Sequence, residues 1–201
     1  MPAMPKNRLS LILPLALIAA AAAFRYLKLG QGVQVPALEN FAPWMALAFT
    51  GTLVFSKRVP FFVLPLLLVV IDLAATGLKG IMHWEAIGVY GAFAVAAWFA
   101  SRSRGKVGLL GSLMGTLACS VAFYLLTNTM SWFVDPGYAK TLAGWMQAMT
   151  TGLPGLPPTI WFLRNSLLSD LAFSCLLLAA YNTEASFRRQ ETIPMLRASV
   201  A

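Results

Sequence analysis

Long apolar runs, separated by short connections that hold most of the charge, constrain the fold of this chain more than any motif. Hydrophobic residues make up 59% of the 201 residues, and charged residues make up only 11%. A soluble domain of average composition is about 25% charged. Several runs are long enough to cross a hydrocarbon core of about 30 Å as helices. We therefore predict an integral membrane protein.

The apolar runs predict six transmembrane helices in a single domain that covers residues 1–201. The expected spans are residues 9–27, 41–55, 59–78, 84–100, 107–126 and 157–181. Leu, Ala, Met and Phe dominate the runs, and they lack the in-and-out alternation that a transmembrane β-barrel needs. Helices also satisfy every backbone polar group within the span itself. The predicted fold class is an all-α, six-helix membrane bundle.

Lysine and arginine are distributed unevenly between the two sides of this topology. One side holds ten of them: Lys6, Arg8, Lys57, Arg58, Arg102, Arg104, Lys106, Arg188, Arg189 and Arg197. The other side holds four: Arg25, Lys28, Lys79 and Lys140. Because basic connections stay in the cytoplasm, we predict a multi-pass protein of a bacterial inner membrane with both termini cytoplasmic. The net charge of +8 then reflects topology and contact with membrane lipid, and it requires no nucleic acid.

The two ends of the chain are interpreted differently from its middle. Lys6 and Arg8 precede an apolar run that ends in five alanines at 19–23, which is also typical of a cleavable secretory signal. Cleavage would leave five crossings and disturb the alternation of charge, so we favour a retained first helix. The polar, basic residues 182–201 are expected to form a loosely ordered cytoplasmic tail.

The longest connection, residues 127–156, is predicted to lie on the outer side. Its apolar residues recur at helical spacing: Leu142, Trp145, Met146 and Met149. One apolar stripe of this kind predicts a short amphipathic helix. Two placements remain open, namely the membrane surface and a lid over a cavity.

Small residues recur at four-residue intervals in two of the predicted spans. Ala16 and Ala20 do so in the first span, and Gly111, Gly115 and Cys119 do so in the fifth. Faces of this kind allow helix backbones to approach closely. Packing within the bundle is the favoured interpretation, and docking of a separate membrane partner on the first helix is the alternative.

Aromatic residues concentrate on the outer side of the predicted topology. Five tryptophans lie there: Trp44, Trp84, Trp132, Trp145 and Trp161. Only Trp98 lies on the inner side, and four tyrosines add to the outer side: Tyr26, Tyr90, Tyr124 and Tyr138. An interfacial belt populates both membrane surfaces, so the excess also suggests an outward-facing site for a bulky organic ligand.

Charged residues inside the spans are the second indication of a site. An ionised group near the bilayer centre costs at least about 2.5 kcal/mol on insertion scales, so it faces a partner or a cavity. Asp72 and Arg164 lie at similar predicted depths, about 10 Å below the outer helix ends. They either pair with each other or bind polar groups of a ligand, and binding predicts an outward cavity lined by one of them. Asp170 lies deeper, and the sequence does not identify its partner.

Enzyme motifs are absent from the sequence. No Gly-x-Ser-x-Gly, His-Glu-x-x-His or Gly-Lys-Ser/Thr nucleotide motif occurs. His83 is the only histidine. It is interpreted either as a solvated side chain or as a ligand to a metal that an organic molecule carries. We predict a non-enzyme with no intrinsic cofactor.

Three stretches carry a resemblance to a known group of proteins. They are Asn-Phe-Ala-Pro at 40–43, Lys-Thr-Leu-Ala-Gly at 140–144 and Phe-Leu-Arg-Asn-Ser-Leu-Leu-Ser-Asp at 162–170. They resemble segments of small bacterial six-helix membrane proteins that are similar to the substrate-binding S components of energy-coupling-factor (ECF) transporters. This resemblance extends over residues 40–178.

The resemblance implies six helices, cytoplasmic termini and a vitamin site near the outer surface. It also implies that Ala16 and Ala20 would dock a coupling subunit that carries ATPases. The solitary cobalamin-binding S components are closest in size and layout, so cobalamin or another corrinoid becomes a candidate transported ligand. Those proteins use a cysteine near the outer end of the third helix to reach cobalt. Residues 78–83 hold no cysteine here, so His83 would be the axial ligand.

The favoured hypothesis is therefore a membrane-embedded binding and uptake protein for a vitamin-like organic solute. The candidate binding residues combine charge and aromatic surface: Asp72, Arg164, Trp44, Trp84, Tyr90, Trp132 and Trp161. The alternative is a non-transporting scaffold that binds partner helices through its small-residue faces.

Overall fold

The computed structural model describes residues 12–32, 42–55 and 59–196, and within these ranges regular structure is entirely helical. The helices are α1 (Ile12–Gly30), α2 (Trp44–Val54), α3 (Val63–Ile81), α4 (Trp84–Ser103), α5 (Leu109–Val134), α6 (Leu142–Met149) and α7 (Thr159–Phe187). Each of the six predicted spans coincides with a helix, and α6 is the predicted amphipathic helix of the outer connection.

Four of these helices are long and apolar enough to cross a membrane: α1, α3, α5 and α7. The other two predicted spans differ from them. Helix α4 has 20 residues but is less apolar, and α2 is only about 16 Å long at 1.5 Å per residue. The protein is therefore a helical, membrane-embedded protein. Half of the predicted inner charges lie outside the described residues: Lys6, Arg8, Lys57, Arg58 and Arg197.

Helix α2 forms the centre of the bundle, and every residue from Met45 to Thr52 is buried. Its middle, Leu47–Gly51, is π-helical. Gly115 of α5 explains how α2 packs so closely, because a Cβ at Gly115 would lie 2.4 Å from Cζ of Phe49. The small-residue face of the fifth span thus packs inside the bundle at Gly115, as predicted.

Both ends of α2 are capped by charged residues of other elements. At its start, where Pro43 provides no side-chain cap, the Ala46 N–H donates to Oδ1 of Asp170 at 2.9 Å. At its end, Arg104 donates from Nε to the Thr52 carbonyl at 2.8 Å. A carboxylate at the N-terminus and a guanidinium at the C-terminus both match the helix dipole. Residues of other helices therefore stabilise α2, which is too short to be stable by itself.

The outer connection contains more helix than predicted. Helix α5 continues eight residues past the predicted end at Leu126, to Val134. The polar side chains of this extension bond within the helix. Thr127 donates to the Phe123 carbonyl at 2.9 Å, and Asn128 donates to the Tyr124 carbonyl at 2.9 Å. Because their hydrogen bonds are local, these residues extend the helix where their polarity suggested a loop.

Helix α6 is held firmly against α5 and α7. The Tyr124 hydroxyl donates to the Met149 carbonyl at 2.5 Å, and the Thr159 hydroxyl donates to the Ala148 carbonyl at 2.8 Å. Of the predicted stripe, Met149 is buried, whereas Leu142 and Met146 are exposed. These contacts favour a fixed surface helix over a movable lid.

The predicted loose tail at 182–201 differs from the structure, because α7 continues to Phe187 and residues 194–195 contact the start of α5. Residues 197–201 lie outside the described residues. The N–H groups of Leu109 and Leu110 donate to the carbonyls of Pro194 and Met195 at 2.9 and 3.2 Å. The first N–H groups of a helix have no partner within it, so this segment supplies acceptors for the start of α5. A Cβ at Gly108 would lie 2.6 Å from the Pro194 oxygen, which explains the glycine there.

Candidate functional site

A buried ion pair joins α1 to α3 at the end of the bundle where α1 ends. Asp72 of α3 is only 5% exposed, and Arg25 of α1 donates Nε to its Oδ1 and a terminal nitrogen to its Oδ2 at 2.5 Å. The Tyr90 hydroxyl of α4 donates to Oδ2 at 2.9 Å. The carboxylate is thereby bound by side chains of two neighbouring helices, and bidentate pairing of this kind is strong and directional.

Helical periodicity places both charges on buried faces. Arg25 follows the buried Ile18 by seven residues, and Asp72 follows the buried Leu68 by four. Residues at these spacings share one helix face. The two faces pack against each other, so the charged groups meet in the interior and away from lipid.

Trp44, the first residue of α2, adds an aromatic surface to the ion pair. The guanidinium carbon of Arg25 lies 4.4 Å from the centroid of the Trp44 ring, a cation–π contact. We refer to Arg25, Trp44, Asp72 and Tyr90 as the ion-pair cluster. It combines a cation, an anion and two aromatic side chains from four helices.

The structure brings together three of the predicted binding residues and separates the others. Trp44, Asp72 and Tyr90 meet in the ion-pair cluster. Arg164 does not pair with Asp72; its Nε lies 3.3 Å from Oδ1 of Asn165. Of the two alternatives for these residues, pairing with each other does not occur, because Arg25 of α1 occupies the carboxylate of Asp72 instead.

The remaining predicted tryptophans are dispersed over the surface. Trp84 is 63% exposed and Trp161 is 51% exposed, and the guanidinium carbon of Arg164 lies 5.7 Å from the Trp161 ring centroid. Trp132 is partly buried and donates Nε1 to the Ala139 carbonyl at 2.8 Å. Their positions fit an interfacial aromatic belt better than the lining of one ligand site.

An apolar crevice lies next to the ion-pair cluster, between α1, α2, α3 and α4. Its lining is apolar apart from the indole nitrogen of Trp44: Ile18, Ala22, Trp44, Leu47, Ala48, Leu64, Pro65, Leu67, Leu68, Ile71 and Phe93. The cavity volume is about 20 Å³, which is room for about one water molecule. Neither Asp72 nor Arg164 lines it, so the outward cavity expected beside these residues is not open here.

Asp170 of α7 is the second buried carboxylate, and its partners are the ones that the sequence did not identify. It is 2% exposed, accepts from the Ala46 N–H at 2.9 Å and accepts from the Ser120 hydroxyl at 2.6 Å. Among the described residues, no lysine, arginine or histidine forms an ion pair with it. One turn away, the hydroxyl groups of Thr50, Thr116 and Ser174 bond one another. These hydrogen bonds connect α2, α5 and α7 and hold the three helices together.

His83 lies at the surface, at the start of α4. Its side chain is 48% exposed, and its Nδ1 lies 3.1 Å from Oε2 of Glu85. Within the described ranges, no group of three or more His, Cys, Asp or Glu residues could hold a metal ion. The side chain remains accessible to a metal that a bound molecule would carry.

The alanine face of α1 points away from the bundle. Ala16 and Ala20 are exposed, whereas Pro14, Ile18 and Ala21 form the buried face of the same helix. Packing within the bundle, the favoured interpretation for these alanines, is therefore wrong for α1. The face is left free for lipid or for another helix.

A comparison of the whole sequence with protein families gives one result. Residues 5–192 match the model of DUF6580, a family of unknown function. The chain belongs to this family. No curated protein and no solved structure gives a significant match. Because the DUF6580 description names no activity, the functional argument rests on the geometry of the site.

Proposed function

We propose that this protein is a membrane-embedded binding and uptake protein for a vitamin-like organic solute, of the type of the ECF S components. In this proposal it crosses a bacterial inner membrane six times, with both termini in the cytoplasm. The observation that carries the proposal is the ion-pair cluster beside the apolar crevice. A ligand with an apolar body and one charged or polar group would match that combination.

The energetics of the ion pair support a role beyond packing. Removing two charges from water costs several kcal/mol per ion, and apolar residues of similar volume often stabilise a protein at least as well. Asp72 and Arg25 are nevertheless charged and lie between helices of a membrane protein. Charged residues in such positions commonly mark a ligand or ion pathway.

The crevice would be the closed form of the site. Its volume of about 20 Å³ is far below the several hundred Å³ of typical ligand pockets, so α1 and α3 must separate for a ligand to enter. Helix α3 is kinked at Gly77 (φ 69°), five residues beyond Asp72. Rotation at this kink would let the segment of α3 that carries Asp72 tilt away from Arg25 while residues 78–81 stay in place beside α4.

Release of the ligand would follow reorientation of the bundle. Movement of α6 is disfavoured because Tyr124 and Thr159 hold its carbonyls. A coupling subunit with ATPases would dock on the exposed Ala16 and Ala20 of α1, since small residues permit close helix contact. The ATPases of this subunit would supply the energy for uptake, since the chain itself has no nucleotide-binding motif.

Mass spectrometry of small molecules that co-purify with the protein in mild detergent tests the proposal. We expect the wild-type protein and Arg164→Ala to retain the same organic molecule. Arg25→Ala and Asp72→Ala should lose at least about nine-tenths of it, which corresponds to a loss of about 1.4 kcal/mol or more in binding free energy. Arg164→Ala is the matched control because it also removes an arginine from a membrane helix. Equal retention by all four proteins would exclude the ion-pair cluster as the binding site.

Cobalamin or another corrinoid is the ligand class that the S-component resemblance suggests. His83 would then bind cobalt through its imidazole, since neutral imidazole is a common metal ligand. The test is the visible absorption spectrum of added aquocobalamin, which changes when imidazole replaces the axial water. We expect the change with wild type and none with His83→Ala, and an identical change for both would remove His83 from the proposal.

A second candidate, a non-transporting scaffold, is favoured by the exposed alanine face of α1. Substituting Ala20→Leu would block close approach of a partner helix without altering the buried face of α1. A scaffold would lose its membrane partner in co-purification, and no small molecule would be found on either protein. Retention of a small molecule by Ala20→Leu would instead support the uptake proposal.

A further inference from the structure

One residue at the end of α7 adopts a backbone conformation that its side chain disfavours. Arg189 has φ 52° and is the only non-glycine residue with positive φ in the described ranges. The Gln190 N–H donates to the Ala185 carbonyl at 2.8 Å, which is the pattern of a helix C-terminus with a left-handed residue. Glycine is the usual residue there because a Cβ is unfavourable at positive φ.

The Arg189 side chain is exposed and has no ion-pair or hydrogen-bond partner among the described residues. Its neighbour differs, because Arg188 donates Nε to Oε1 of Glu184 at 3.1 Å. Phe187, two residues before Arg189, is 84% exposed. An exposed guanidinium without a partner among the described residues thus lies two positions along the chain from an exposed aromatic side chain.

The position of α1 indicates where this pair lies relative to a membrane. The Leu13 N–H donates to Oε2 of Glu184 at 3.0 Å, so the exposed apolar start of α1 is level with Glu184. Helix α7 ends at Phe187, three residues or about 5 Å beyond Glu184 along the axis, and Arg189 follows in the turn. This distance corresponds to the headgroup region that borders the hydrocarbon core.

The neighbouring C-terminal segment restricts movement of this end of α7. Asn182 of α7 bonds Ile193 in both directions: its side-chain amide donates to the Ile193 carbonyl at 3.0 Å, and the Ile193 N–H donates to its Oδ1 at 2.8 Å. The turn at Arg189 lies between these two residues and is therefore closed by hydrogen bonds. Phe187 and Arg189 are held in a defined arrangement.

We propose that Arg189 and Phe187 form a contact site for an anionic phospholipid. The guanidinium binds the headgroup phosphate, which its planar donors match, and the ring enters the acyl boundary, where aromatic side chains are favoured. Glycine at this position would relieve the backbone but could not bind phosphate. This inference is independent of the proposed uptake function.

The test compares Arg189→Gly, Arg189→Lys and wild type by thermal unfolding in neutral detergent, with phosphatidylglycerol or phosphatidylcholine added. In detergent alone, Arg189→Gly should unfold about 2 °C higher than wild type, because the strain is removed. Phosphatidylglycerol should raise the Tm of wild type and Arg189→Lys more than phosphatidylcholine does. Arg189→Gly should lose at least half of this extra gain. Lys79→Gln, which removes one basic charge at the opposite end of the bundle, should keep all of it.

Three outcomes would overturn the inference. The first is an undiminished phosphatidylglycerol effect on Arg189→Gly. The second is an equal Tm gain from inorganic phosphate alone, since that would show anion binding without a lipid. The third is a lower Tm of Arg189→Gly in detergent alone, which would mean that the arginine side chain stabilises the fold without lipid.

Discussion

Asp72 and Asp170 are both buried aspartates on membrane helices, but their carboxyl groups are bound in different ways. Asp72 is bound by the side chains of Arg25 and Tyr90, which can change rotamer. Asp170 is bound by backbone at the start of α2 and by Ser120. A side-chain partner can exchange for a ligand, whereas a helix terminus cannot move without displacing the helix. The comparison supports the proposed binding role of Asp72 and gives Asp170 an architectural role.

The packing around each aspartate supports this division. Around Asp170, α2 is fixed because the Phe49 ring fills the space that the absent Cβ of Gly115 leaves. Around Asp72, a small crevice and the kink at Gly77 leave room for movement. Four sets of substitutions test the distinction.

One of the two largest effects is expected at Asp170. Asp170→Ala leaves buried N–H donors at the start of α2 without their acceptor, whereas the Ser120 hydroxyl keeps the Thr116 carbonyl as its acceptor. We expect a loss of about 3 kcal/mol in unfolding free energy. Asp170→Leu should be equally unstable, because an apolar side chain cannot accept those hydrogen bonds. Unfolding in mixed micelles with increasing SDS provides the measurement. A stable Asp170→Leu protein would contradict the structural role.

At the ion-pair cluster, a single substitution should be costly and a double substitution should not. Arg25→Ala leaves the Asp72 carboxylate buried with only Tyr90, at a cost of about 3 kcal/mol. Replacing both partners, as Arg25→Met with Asp72→Leu, should restore most of that stability while abolishing ligand retention. The same micelle unfolding assay applies. If the double variant does not recover stability, the ion pair has a structural role, and the proposed distinction between Asp72 and Asp170 fails.

Gly115→Ala is expected to have an intermediate effect. Its Cβ would lie 2.4 Å from Cζ of Phe49, so α2 must shift, and overpacking of this kind costs about 2 kcal/mol. The matched control is Gly91→Ala, since no heavy atom lies within 4 Å of a Cβ at Gly91. Equal melting temperatures for the two variants would show that α2 is not held by this contact.

The smallest effect is expected for Tyr90→Phe. It removes one hydrogen bond to Oδ2 of Asp72 and should cost about 1 kcal/mol. Because the Arg25 pair remains, ligand retention should fall only in part, and titration of the co-purifying molecule would measure the change in affinity. A complete loss of binding would show that Tyr90, rather than Arg25, contacts the ligand.

The apolar runs were sufficient to predict the helices, but not how far the helices extend. Thr127 and Asn128 suggested a loop because their side chains are polar, yet both bond to the carbonyl four residues earlier. The π-helical middle of α2 has no sequence pattern that distinguishes it from an ordinary apolar helix. Order in residues 190–196 depends on acceptors for Leu109 and Leu110, a contact between distant parts of the chain.

Within the candidate site, the sequence identified the anion and the aromatic residues but not the cation. Asp72 was predicted from its depth in the span, and Trp44 and Tyr90 were predicted from their position on the outer side. The structure places the three residues together. Arg25 was missed because it was counted as a charge of the outer connection, although its seven-residue spacing from Ile18 indicates the buried face of α1. Arg164 was chosen by depth alone, and depth does not determine which face of a helix a residue occupies.

The start of α5 has an implication for biosynthesis. Its first two N–H groups bond to carbonyls of Pro194 and Met195, which the ribosome adds long after α5 has been inserted. Until residues 194–195 have left the ribosome, those donors are left to water or lipid headgroups, so the start of α5 reaches its final hydrogen bonding only after they emerge. Closure of this end is a late step of assembly, and any fusion or truncation that displaces residues 194–195 would interfere with it.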